Sequence, residues 1–138
     1  MRTRVKICGI TREQDARTAV ASGVDAIGLV FYAHSPRHVS IERARKIARA
    51  VAPFVSLVGL FVNAAPADIR TVTAAVPLAL LQFHGQENNA DCNQFGLPFI
   101  KSIPMKGEID LLSEIAMYPD ASGFLLDTYQ PDTHGGGG

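Results

Sequence analysis

Six short apolar runs punctuate the chain, and the stretches between them carry helical spacing. The runs are RVKIC (4–8), AIGLVF (26–31), SLVGLFV (56–62), LALLQF (78–83), PFIKSI (98–103) and GFLLDT (123–128). Most are nearly continuous in apolar residues and do not alternate cleanly with polar ones. That pattern predicts parallel strands covered by helices. Between them, Thr11 with Gln14 matches a capping box, Ala16, Ala19 and Val20 form a stripe, and Gly23 marks the stop. Ser40 caps a second predicted helix with Ile41, Ala44, Ile47, Ala48 and Val51 on one face, ending before Pro53. Pro66 suits the first turn of a third, with Ile69, Val72 and Val76 inward. A weakly patterned fourth covers 87–95. A fifth covers 108–117, with Leu111, Leu112 and Ile115 on its apolar side.

Strict alternation of strand and helix implies parallel strands joined by right-handed crossovers. Two architectures satisfy it, a doubly wound open sheet and a (β/α)8 TIM barrel. No G-x-G-x-x-G follows the first run, so a dinucleotide site has no support. A flavodoxin-like binding module would need a phosphate-cradling loop there, and CGITREQD offers a single glycine. Eight units at the observed spacing would take about 184 residues, near the lower end for barrels. This chain holds six. No shift in composition divides residues 1–138, which read as a single domain.

Composition narrows the function classes. The 138 residues are 47% hydrophobic and 19% charged, a globular balance. Thirteen basic residues offset thirteen acidic ones, so no global field draws the chain to nucleic acid or an anionic membrane. No run approaches the ~20 apolar residues of a membrane span, and no secretory signal stands at the N-terminus. Cys8 and Cys92 lie far apart with no metal-type spacing. A cytoplasmic chain with reduced thiols is expected.

In βα folds the chemistry sits at the C-terminal ends of the strands. The polar residues there are Lys6 and Cys8, two apart and so on one face; Arg37 in the loop FYAHSPRHVS, with His34 and His38; Asn63; Gln82 and His84, again on one face; Lys101 and Ser102; and Asp127. Parallel strands would bring them to one rim. Each also has a plainer use. Cys8 fits as a small buried hydrophobe, Asp127 as a partner for its own loop, and His84 as a satisfied core histidine. Lys6 could snorkel, Arg37 could be solvated, and Asn63 would serve as a helix cap. Cys92 lies on a helical stretch and reads as structural.

Some of these residues fall in motifs. KICGIT (6–11), GLVFY (28–32), SPRHVS (35–40), GLFVN (59–63), LQFHG (81–85) and LLDT (125–128) follow in order, with a glycine-rich loop after. Together they resemble the phosphoribosylanthranilate isomerase family of the tryptophan pathway, over the whole length from Val5 to Gly138. The resemblance implies a (β/α)8 barrel of roughly 200 residues or a little more. The closing glycines then resemble the start of the loop after strand 6. Only about six βα units are present, and the last two lie outside the chain.

The implied reaction is an Amadori rearrangement of N-(5′-phosphoribosyl)anthranilate to 1-(2-carboxyphenylamino)-1-deoxyribulose 5-phosphate. By resemblance Asp127 is the general acid that protonates the furanose ring oxygen. Cys8 is the general base that removes the C2′ proton. Arg37 binds the anthranilate carboxylate, a natural partner for a guanidinium fork. Lys6, Gln82 and His84 are expected to line the substrate site, with Lys6 supplying a cation on the thiol's side. No metal or organic cofactor is implied, and the expected partner is this small phosphosugar-anthranilate substrate, with no nucleic acid and no membrane. Cys8 as the base favours the dedicated isomerase over relatives that also act on a histidine-pathway sugar. In this fold the phosphate is held by the loops after strands 7 and 8, which fall beyond residue 138. Open strand edges would also leave apolar faces uncovered. Little or no activity from the isolated chain is therefore expected, and the chain should be poorly soluble, partly disordered or self-associating, as a homo-oligomer through those edges. The alternative reading is a non-catalytic βα fragment that self-associates or complements another chain.

Overall fold

The computed structural model describes residues 1–128. The loop and glycine run expected after the last strand, 129–138, lie outside them. The elements are β1 (Lys6–Cys8), α1 (Glu13–Ala21), β2 (Ala26–Val30), α2 (Ile41–Ala50), β3 (Ser56–Phe61), α3 (Pro66–Ala75), β4 (Leu80–Phe83), α4 (Asn89–Cys92), β5 (Phe99–Met105), α5 (Leu111–Ala116) and β6 (Gly123–Thr128).

All strand neighbours are parallel, and the spatial order is β1-β2-β3-β4-β5-β6. A doubly wound sheet reverses its order at a switch point. The sequential order here excludes that architecture and the flavodoxin-like module with it. The sheet is the wall of a partial (β/α)8 barrel with its helices on the outer side.

Local chemistry explains most helix ends. Ser40 Oγ accepts the Arg43 N–H at 3.2 Å and starts α2, and Pro66 opens α3. Asn88 and Asp91 form a reciprocal capping box that starts the single-turn α4, shorter than the stretch predicted. The box expected at Thr11 and Gln14 does not form. Arg12 takes the cap position, and its side chain forks onto Asp15 at 2.7 and 2.8 Å. α5 is capped by Asp110 and buries no residue. Leu112, expected inward, is 79% exposed on this last described helix.

Strand alternation sorts the side chains between two layers. Ile27, Leu29, Leu57, Phe61, Leu81, Phe83 and Phe99 join the core beneath the helices, together with Ala16, Ala44, Ile47, Ile69 and Val72 from α1, α2 and α3. Each of the larger side chains, valine to phenylalanine, contributes about 1.5–3 kcal/mol by leaving water. Val30, Leu60 and Val62 form a second cluster with Cys8 and Tyr32. That smaller cluster marks the bore side of the sheet.

Candidate active site

β1 directs Lys6 and Cys8 into the bore, with Ile7 between them on the opposite side. Cys8 pairs in register with Gly28 of β2. A Cβ at 28 would stand 2.7 Å from Cys8 Sγ, so only glycine leaves the thiol its place. The chain then turns at Gly9, whose φ of +85° lies in the left-handed region. The absent side chain matters here too. A Cβ at Gly9 would fall 2.5 Å from Arg37 Cδ. Arg37 occupies that space and donates from Nη1 to the Cys8 carbonyl at 3.2 Å. The β2–α2 loop is drawn back by the Val39 N–H donating to Val30 O at 2.9 Å. This places the guanidinium from one strand end on the backbone of another. His34 and His38 in the same loop are exposed and do not join the site.

His84 follows β4, with its N–H donating to Phe61 O at 3.0 Å. Its Nε2 contacts the Gln82 side-chain amide. Its Nδ1 faces Asp127 Oδ2 at 3.7 Å. The imidazole side chain is 5% exposed and Asp127 31%. Burial lowers the His84 pKa to about 4, against an upward pull from Asp127, a further downward push from Lys6 and Lys101, and an upward pull from Glu87. At neutral pH the imidazole is therefore uncharged, and its contact with Asp127 is polar, not an ion pair. Gln82 Oε1 is buried with no hydrogen-bond partner among the described residues.

Lys6 belongs to β1, His84 follows β4, and Asp127 belongs to β6, yet the charges of Lys6 and Asp127 both reach His84. In a flat sheet β1 and β4 would lie about 14 Å apart. Register puts Lys6, Cys8, Gln82 and Asp127 on the bore side of the sheet, with His84 against Gln82 and Asp127, and Arg37 against the Cys8 carbonyl.

Lys101 departs from the expectation. It pairs in register with Phe83 and so points into the helix-side layer. There its Nζ meets Glu87 Oε2 at 3.1 Å, the two side chains being 4% and 7% exposed. Asn63 lies at the end of the β3 segment with φ +48°, and its Oδ1 accepts the Gln86 N–H at 2.7 Å. Glu87, Gly9 and Gly28 are the site-building residues that sequence reasoning missed. Glu87 carried one usable signal, an acid three residues past a rim histidine. The glycines carried none without register. Cys92 is buried, and desolvation raises its thiol to about 12. Among the described residues no cluster of three or more His, Cys, Asp or Glu is placed to hold a metal ion, and no helix is long and apolar enough to cross a membrane.

Residues 5–138 match the family model described as N-(5′-phosphoribosyl)anthranilate (PRA) isomerase. The N-(5′-phosphoribosyl)anthranilate isomerase of Pseudomonas paraeruginosa is 56% identical over 135 residues, covering 98% of this chain and 64% of that protein. The Cellvibrio japonicus protein of the same name is 54% identical, covering 97% and 62%. The chain thus spans a little under two thirds of the length of these curated relatives. Among solved structures, phosphoribosyl anthranilate isomerase from Thermotoga maritima superimposes with a TM-score of 0.86 at 40% identity, covering 99% of this chain and 66% of that one. A phosphoribosyl anthranilate isomerase in complex with reduced 1-(o-carboxyphenylamino)-1-deoxyribulose 5-phosphate gives 0.83 at 40% identity, covering 93% and 66%. With the sequential parallel sheet and the shared rim, these matches establish that the chain belongs to the N-(5′-phosphoribosyl)anthranilate isomerase family.

Proposed function

We propose that this chain carries the acid and base of a phosphoribosylanthranilate isomerase of tryptophan biosynthesis. The supporting observation is the approach of His84 Nδ1 to Asp127 Oδ2 at 3.7 Å, on the side of the sheet that also carries Cys8. Asp127 donates a proton to the furanose ring oxygen, the C1′–O bond opens, and a Schiff base forms. Cys8, as thiolate, takes the C2′ proton. The enolamine then relaxes to the ketone as C1′ gains a proton, so the reaction is a net isomerisation. Arg37, already lodged over Gly9, binds the anthranilate carboxylate with its fork. Lys6, Gln82 and His84 line the substrate. The reading invokes no cofactor or metal and places the reaction in the cytoplasm. The substrate phosphate is held by the last two βα units of the family fold.

A turnover assay following substrate fluorescence tests this reading. It is run on the chain alone and on the chain mixed with a polypeptide supplying the last two units. Activity is expected only in the mixture. Asp127→Asn and Cys8→Ala should each lower it by about 10²–10⁴-fold, the usual worth of a general acid or base. A folded chain with no turnover under any condition would overturn the isomerase reading.

One feature favours the second reading, a non-catalytic fragment that associates through its uncovered faces. Leu126 on β6 is 53% exposed, Leu112 79% and Met117 63%. Sedimentation of the chain alone and with the complementing polypeptide separates the two.

A further inference from the structure

The Gly85 peptide, next in sequence to His84, is bound on both sides by one buried ion pair. Glu87 Oε2 accepts the Gly85 N–H at 2.9 Å, and Lys101 Nζ donates to the Gly85 carbonyl at 2.6 Å. Glu87 Oε1 accepts the Asn63 N–H at 2.6 Å, which ties the end of β3 to the same carboxylate. Tyr118 Oη donates to the Glu87 carbonyl at 3.0 Å, and its ring centroid lies 5.6 Å from Lys101 Nζ. Gly85 leaves no room for a side chain, since a Cβ there would lie 2.6 Å from Asn63 Cγ.

A buried ion pair adds little stability over an apolar pair of the same shape, because desolvation offsets the attraction. What it adds is direction, since its donors and acceptors fix the peptides they bind. Here they bind the peptide that carries the rim histidine. We propose that Glu87 is a positioning residue: its carboxylate, held by Lys101, fixes the His84–Gly85 turn so that the imidazole stays seated against Asp127. The inference rests on the isomerase reading only in naming Asp127 as the acid so served.

The test reads His84 directly by NMR titration of the full chain, with His84→Gln identifying its signal. The charged groups facing His84 are Asp127 from β6, Lys6 from β1, Lys101 from β5 and Glu87 before α4. The negative charge of Glu87 raises the His84 pKa, so loss of that charge alone moves it further below about 4. Loss of positioning exposes the ring and moves it up. In Glu87→Ala we expect a rise of about 1–2 units toward the ordinary 6.5. Glu87→Gln, which keeps one acceptor, should rise less. Glu87→Asp keeps the charge but withdraws the carboxylate, and a rise there needs no correction for charge if the alanine variant fails to fold. A His84 pKa that falls or stays unchanged in every folded variant overturns the proposal. Failure of the isomerase reading would show in the turnover assay and leave this titration unaffected.

Discussion

His84 Nδ1 stands 3.7 Å from Asp127 Oδ2, although a whole strand, β5, separates their strands in the sheet. The neutral, buried imidazole gives a pH signature. Its pKa is about 4 in the folded chain against 6.5 when free, so the unfolded chain binds a proton first as pH falls. Stability is therefore unaffected above about pH 6.5 and drops as pH falls toward 4, by about 3 kcal/mol in total. Asp25 does not confuse this window. Arg2 and the Val5 N–H hold its carboxyl at about 2 against 3.8 when free, so its contribution fades as pH falls from about 3.8 to about 2, below the range in which His84 titrates. Urea denaturation between pH 7 and 4.5 should show a marked slope, and His84→Gln should flatten it.

The two thiols should separate cleanly. Cys92 is fully buried with its thiol near 12, whereas Cys8 is partly exposed in the bore. Alkylation of the native chain near pH 8, read by mass spectrometry, should label Cys8 and spare Cys92 until the chain unfolds. Equal labelling in the native state would contradict the burial of Cys92.

Gly9 and Gly23 share a left-handed backbone, at φ +85° and +83°, but not a neighbourhood. Nothing lies within 4 Å of a Cβ at Gly23, while one at Gly9 collides with Arg37. Gly23→Ala should cost about 1–2 kcal/mol of backbone strain alone. Gly9→Ala should cost more and should displace the guanidinium. Under the isomerase reading it also raises KM, as Arg37→Ala does. Denaturation midpoints of the two variants give the comparison.

The uncovered faces predict behaviour in solution. Leu126→Lys and Leu112→Lys place charges on side chains already 53% and 79% exposed. Their effect on folding should stay within about 0.5 kcal/mol. Any self-association of the chain should weaken, as sedimentation velocity will report.

Much of the architecture was legible in the chain itself. Helix and strand periods are local, so the apolar runs gave all six strands, with ends shifted by only a few residues. Ser40 and Pro66 announced the starts of α2 and α3 because their capping chemistry acts within one turn. Thr11 misled because Arg12 found a better local partner in Asp15. The polar strand ends pointed to one rim because parallel strands all finish on the same side.

Facing was another matter. In FIKSI both faces of the strand are largely apolar, so alternation could not say whether Lys101 looks into the bore or under the helices. Its register with Phe83 and its partner Glu87, fourteen positions earlier, decided that. Gly28 and Gly9 became part of the site only when pairing placed Cys8 and Arg37 against them. The sequence by itself determined the kind of element at each stretch, the order of the units and the family. Tertiary structure alone decided which side chains share the bore. Local periodicity is set by neighbours in the chain, whereas curvature and register join residues separated by several strands.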